Sequence, residues 1–187
     1  MKRLLVLSGK GGTGKTTVSS AFVEFSKARA VADCDVDAPN LHLILNRREK
    51  PQRTVLWGGE KAFLDQELCI KCGACQKACR FDAIRFSEEK YEIWEYACEG
   101  CGVCTYVCPA HAIAMKEDAA GELFLYEGEQ VFSTAMLKMG RGNSGKLVTE
   151  VKKNMLKKAS DTELAIIDGS PGIGCPVIAS MSGMDLI

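Results

Sequence analysis

Apolar residues near the start of the chain form short unbroken runs separated by glycine-rich or acidic punctuation. Residues 3–8 carry Leu4-Leu5-Val6-Leu7 and stop at a glycine cluster. This predicts a buried parallel strand opening onto a loop. Val18, Ala21, Phe22, Phe25 and Ala28 then recur at helical spacing from Lys15 to about Arg29. Residues 30–34 predict a second short strand, ending in Asp33-Cys34-Asp35-Val36-Asp37. A strand, loop, helix and strand in this order predict an α/β, doubly wound sheet. The same grammar returns late in the chain. Residues 129–134 predict a strand and residues 140–145 a glycine-rich loop. Leu147, Val148, Val151, Met155, Leu156 and Ala159 make a helical stripe, with Lys152, Lys153, Lys157 and Lys158 largely off it. Residues 164–167 predict a strand that ends at Asp168-Gly169-Ser170-Pro171-Gly172.

Between these two stretches the pattern changes. Residues 46–60 are polar and broken by Pro51 and Gly58-Gly59, which reads as an exit from the α/β region. Residues 61–120 then hold eight of the ten cysteines in two copies of one run: Cys69, Cys72, Cys75 and Cys79, then Cys98, Cys101, Cys104 and Cys108, followed by Pro109. The copies are offset by 29 residues, and Ala83-Ile84 matches Ala112-Ile113 at the same offset. The repeat predicts two pseudo-symmetric halves, each a cysteine loop, a short helix and a strand. The spacing is that of bacterial ferredoxins with two [4Fe-4S] clusters, where the fourth cysteine of each run serves the other cluster. That rule assigns Cys69, Cys72, Cys75 and Cys108 to one cluster and Cys98, Cys101, Cys104 and Cys79 to the other. Zinc ribbons pair two Cys-x2-Cys units over a wider gap, so three successive x2 spacings favour iron–sulfur over zinc. Arg80 stands where the second copy has Pro109. Cys34 and Cys175 fall outside the runs; Cys34 reads as a packed thiol, and Cys175 as a packed thiol ahead of a cysteine facing the clusters.

The glycine cluster after the first strand is a second chemical signal. Gly9-x4-Gly14-Lys15-Thr16 is a phosphate-binding loop pattern. Gly9, Gly11, Gly12 and Gly14 let the backbone fold tightly and turn N–H groups toward phosphate oxygens. The helix beginning at Lys15, Thr16 and Thr17 adds its positive dipole end. Lys15 is placed to reach the β- and γ-phosphates and Thr16 to hold Mg²⁺, with the strand-ending Asp168 as the carboxylate supporting the metal. The expected organisation is a P-loop nucleotide-binding domain in two segments, 1–60 and 121–187, interrupted by a small α+β ferredoxin-like domain at 61–120.

Charge and composition narrow the partners. Lys+Arg and Asp+Glu are both 24, so nothing electrostatic argues for nucleic acid or an anionic membrane. The opening apolar run is too short for a signal peptide, and no run is long enough to span a bilayer. Ten cysteines without a secretory leader predict metal ligands in a reducing, cytoplasmic setting.

Three motifs together resemble the MinD/ParA/Mrp group of P-loop ATPases, and more closely its members with an inserted ferredoxin domain. They are Lys10-Gly-Gly-Thr-Gly-Lys-Thr16, Asp33-Cys-Asp-Val-Asp-Ala-Pro-Asn40 and Ile167-Asp-Gly-Ser-Pro-Gly172. The resemblance implies an ATP- and Mg²⁺-binding protein that dimerises face to face on binding nucleotide. It implies that Lys10 contacts the phosphates of the opposite subunit, that Asp35 orients the attacking water and that Asp33 lies near the metal shell. Members of that group continue past the Walker-B strand, so the resemblance also implies a nucleotide domain longer than these residues, with base-contacting segments outside them. Three functions follow as expectations. One is an ATPase that gates electron transfer through its own clusters to a redox partner. Another is a carrier that delivers iron–sulfur units to an apo-protein. The last is a nucleotide-switched, non-enzymatic redox relay. Full ligand sets for two clusters favour the first.

Overall fold

The computed structural model describes residues 1–47, 49–159 and 162–187. The chain divides into two compact units. One comprises Met1–Leu56, Gly121–Lys138 and Gly142–Ile187; the other comprises Trp57–Ala120 and Met139–Arg141.

The first unit is built on apolar strands flanked by helices. β1 (Lys2–Val6), β8 (Leu164–Asp168), β2 (Ala30–Asp33) and β7 (Val131–Leu137) lie side by side in that order and pair in parallel. β6 (Ile113–Tyr126) runs antiparallel to β7, and β3 (Gln52–Leu64) completes the six-stranded sheet beyond it. β2 is fully buried, and the inner face of β8 contributes Ala165 and Ile167 to the core. Strands of this kind need cover on both faces. α5 (Ser144–Lys158) supplies one cover with Leu147, Val148, Val151 and Met155, all essentially inaccessible, as its apolar stripe predicts. Lys152 departs from that expectation, since it is buried as well. Its ammonium donates to the carbonyls of Ala179, Ser180 and Ser182, at the end of α6 (Cys175–Met181). It thereby satisfies carbonyls that a helix end leaves without partners.

α1 (Lys15–Ser26) turns three of the five residues of its expected stripe outward, while Ala28, just past its end, is buried as expected. Val18, Phe22 and Phe25 are exposed, Phe25 by 87%, whereas Lys15, Ser19 and Val23 are buried. The reason is chemical: Lys15 and Ser19 both reach Asp168, so polar side chains occupy the inward face. The polar stretch read as an exit at 46–60 contains the boundary between the units, Leu56 to Trp57, and also most of β3, with Gly59 accommodated there at φ 154°. A four-residue helix, α2 (Leu41–Ile44), follows the acidic loop after β2.

The second unit repeats a cysteine loop and a short helix, α3 (Ala74–Ala78) and then α4 (Val103–Val107). Between them lies the antiparallel pair β4 (Ile84–Ser87) and β5 (Lys90–Ile93). Both helices begin at a left-handed glycine, Gly73 at φ 77° and Gly102 at φ 74°. Its core is Ile84, Tyr91, Ile113, Cys75 and Cys104.

Candidate functional site

Two sites emerge, one in each unit. In the first, strand register sets the geometry. Val6, Asp168 and Asp33 occupy one row across β1, β8 and β2, at the carboxyl ends of the parallel strands. Such ends are where open α/β sheets bind ligands. Asp168 is fully buried and has three side-chain partners. Lys15 Nζ lies 2.7 Å from Oδ1, Ser19 Oγ donates to Oδ1 at 2.7 Å and Thr16 Oγ1 donates to Oδ2 at 2.8 Å. Lys15 has three donors, so one carboxylate neighbour leaves capacity for phosphate oxygens.

The loop before α1 is shaped for such a ligand. Gly12 and Gly14 have φ of 76° and 86°, and side chains added at Gly9, Gly11, Gly12 or Gly14 would meet nothing within 4 Å. No side chain caps the helix at Gly14, so its first N–H groups remain available. Gly11, Gly12, Gly14, Lys15, Thr16 and Thr17 line a cavity of about 260 Å³ together with Asp35, Asn40 and Pro171. Gly9 does not line it. Lys10 is exposed and also lies outside the lining, and its carbonyl accepts from Ser8 and Thr13.

The loop after β2 is held by Asp33. Asp33 Oδ1 accepts from the N–H of Asp35 at 3.1 Å, and Oδ2 accepts from Asn40 and Leu41 at 3.1 and 3.0 Å. Its carboxylate is therefore engaged in fixing backbone, in the strand row next to Asp168. Burial pushes Asp33 up to about 6, with the field of Asp168 adding and the amide of Leu41 opposing. Asp35 is half-buried on the cavity wall, and burial raises it too, against the pull of Lys15. The opposite wall is tied in by Gly172 N–H to Ser8 O at 3.2 Å and by Ser170 Oγ donating to Cys34 O. Cys34 is a packed thiol, raised to about 12 by burial. Cys175, expected to be packed, is exposed at the start of α6, because Gly174 and Pro176 hold it at the turn.

In the second unit the cysteines divide between two cavities. Cys69, Cys72, Cys75 and Cys108 line one; Cys79, Cys98, Cys101 and Cys104 line the other. Each cavity thus takes three cysteines from one run and the fourth from the other. The apolar walls follow the 29-residue offset: Leu64, Tyr91 and Ile113 in the first correspond to Ile93, Ala62 and Ile84 in the second. Burial raises Cys75 and Cys104, and neighbouring cysteines of the same cavity raise them further, so four thiolates there require a compensating cation. Among the described residues no group of three or more His, Cys, Asp or Glu is placed to hold a single metal ion. Also among the described residues, no helix is long and apolar enough to cross a membrane.

Comparison with known proteins matches residues 62–115 to the 4Fe-4S dicluster domain family. This domain covers both cysteine runs and accounts for soft thiolate ligands around cavities. Over its whole length the chain is 30% identical to "Uncharacterized protein MJ0579" of Methanocaldococcus jannaschii, covering 68% of that protein. The chain belongs to that protein's family. It is also 38% identical to "Uncharacterized protein MJ0578" of the same organism over 98% of the chain. There it spans 65% of the relative's length. A stretch of 52 residues is 46% identical to "Uncharacterized ATP-binding protein MJ0547", covering 20% of that protein.

Sequence reasoning missed one residue of the dicluster unit. Arg141 lies in the 140–145 loop, expected to belong wholly to the α/β part, but Met139–Arg141 packs with the dicluster unit. The Gly140-Arg141-Gly142 spacing was the only local signal.

Proposed function

We propose that this protein is a MinD/ParA-type P-loop ATPase that couples MgATP binding or hydrolysis to electron transfer through two [4Fe-4S] clusters. The observation that carries this reading is the division of the eight cysteines into two sets of four, each completed by the other run. Stable centres need a full thiolate set in a partly apolar enclosure, whereas a cluster in transit must leave. For this reason electron transfer is favoured over delivery of clusters to an apo-protein.

The nucleotide half of the proposal is supported by the open glycine loop, the uncapped start of α1 and the Lys15–Asp168 pair. The relative MJ0547, named as ATP-binding, points the same way. In this reading the loop amides and Lys15 bind the phosphates. Thr16 and, behind it, Asp168 would hold Mg²⁺, which would offset the charge of the phosphates. Asp35, set on the cavity wall by the Asp33 latch, orients the attacking water. Lys10 is free to extend toward a second copy, which makes a nucleotide-dependent homodimer part of the proposal. The clusters, when bound, supply one-electron chemistry; the chain supplies thiolates, apolar walls and nearby charge. A reducing, cytoplasmic setting follows from thiolate ligation.

Anaerobic preparation with iron and sulfide analysis, then EPR of the reduced protein with and without MgATP, tests both halves. About eight iron and eight sulfide are expected, with a line shape or potential that changes on adding nucleotide. Stoichiometric zinc without a reducible signal would overturn the cluster half. Saturating nucleotide with unchanged spectra and potentials would overturn the coupling.

A further inference from the structure

The two cysteine cavities are related by the internal repeat, but Arg141 is not part of that repeat. It arrives on Met139–Arg141, between β7 and α5, and its side chain retains only 9% of its exposure. Its guanidinium pairs with Asp118, which also lies 4.0 Å from Lys61 Nζ. Lys61 is buried in turn and donates to the carbonyl of Glu95. The segment sits against the approach to Cys98. A side chain at Gly140 would meet the backbone and ring of Tyr96 at 3.2 Å. Gly100, just after Cys98 at φ 69°, leaves no room for a Cβ beside the carbonyl of Glu60.

We propose that Arg141 makes the two cluster sites unequal, lending buried positive charge to the Cys98 group so that electrons entering the dicluster unit collect on that cluster. The inference rests on the cluster reading above. Reduction by a one-electron donor adds one negative charge to a cluster. A buried cation stabilises that charge and raises the potential. Arg141 and Lys61 are positive charges with little exposure, whereas of the nearby carboxylates Asp118 is half-buried and Glu95 and Glu99, whose fields also reach Arg141, are exposed. Exposed charges on the cavity walls, Lys71 at the first and Glu99 at the second, are screened by solvent and salt. Burial lowers Arg141, and Cys98 is foremost among the groups whose field opposes that effect. Among the described residues Arg141 Nε is buried without a hydrogen-bond acceptor, and a cluster sulfur is an acceptor of the missing kind.

The test is an EPR-monitored redox titration of anaerobically prepared whole chain, with dithionite as donor. Cys72→Ser and Cys101→Ser variants assign each signal to its cluster. Arg141→Gln is expected to shift the reduction equilibrium of the Cys98 cluster about tenfold toward the oxidised form, ~59 mV for a one-electron couple. The other cluster should hold its potential, and Arg141→Lys should retain most of the wild-type value. Equal shifts in both clusters, or none in either, would overturn the proposal. If Arg141→Gln does not fold, Asp118→Asn decides: a selective upward shift of the Cys98 cluster supports it, and an unchanged potential overturns it. Wild-type protein without stoichiometric iron would defeat the cluster reading itself, an outcome recognisable before any titration begins.

Discussion

The two units are held together by different materials. Among the described residues the α/β unit has a principal core of fourteen buried residues, including Leu5, Val36, Val151, Met155 and Ile167, in which Cys34 is the single thiol. The dicluster unit has a core of five, and two of those are Cys75 and Cys104. Cys69, Cys79 and Cys108 pack against it as well. One unit therefore folds around its own side chains and presents a ligand site at its edge. The other uses its ligands as core, so its folding free energy and its metal binding are largely the same quantity.

The strongest way to break that contrast is to remove the iron. Chelation under anaerobic conditions should cost amide protection throughout Trp57–Ala120 while β1, β2 and β8 keep theirs, read by hydrogen exchange. Uniform loss across both units would show that they share one cooperative core. Next in size is Lys15→Ala. It should abolish MgATP binding in calorimetry and leave the cluster spectrum unchanged. Because it leaves Asp168 buried without its cation, it should also destabilise the α/β unit by roughly 3–5 kcal/mol. Unchanged affinity would move the phosphate site away from this loop. Cys79→Ala sharpens the comparison within the dicluster unit. The cluster of Cys98, Cys101 and Cys104 should be lost or degraded, and the one beside Cys79 in sequence should survive. EPR showing damage confined to the Cys69 group would mean that the halves do not exchange ligands.

The smallest expected effect is a pH slope. Asp33 is raised in the folded state, from 3.8 to about 6. The folded protein therefore holds this proton more tightly than the unfolded chain. The resulting stabilisation is complete below pH 3.8 and is lost as pH rises through about 6. Asp33→Asn should flatten the dependence of the α/β unit's denaturation midpoint on pH between those values. It should also loosen the Asp35–Leu41 loop, because an amide presents one carbonyl oxygen where the carboxylate offers two.

Legibility varied with the kind of signal. The cysteine spacing, the glycine loop and the α5 stripe are local patterns: the cysteines line two cavities, the loop leads directly into α1, and the stripe is buried. The inward face of α1 was legible only in part, because periodicity ranks Phe22 and Phe25 above Lys15 and Ser19 and takes no account of a carboxylate waiting on a distant strand. β3 and β6 were hidden for a related reason. Each starts in one unit and ends in the other, so neither shows one inward face along its length, and Gly58-Gly59 imitates a break. Asp33 was legible as a strand-end acid, but its duty as a latch depends on the amides of residues up to eight positions away. Arg141 was beyond reach, since nothing in a glycine-flanked arginine announces that its partner is Asp118.

The return of Met139–Arg141 also bears on modularity. A dicluster cassette spliced out at Leu56 and Gly121 would leave behind a tripeptide evolved against a surface no longer present. The arginine in it would be stranded without its carboxylate. A cassette grafted elsewhere with those same ends would carry Asp118 and Lys61 but not the third member of the group. Exchange of this insert between hosts thus requires two cuts to match in concert, and a chimera that respects only the obvious pair inherits a defect on each side of the splice.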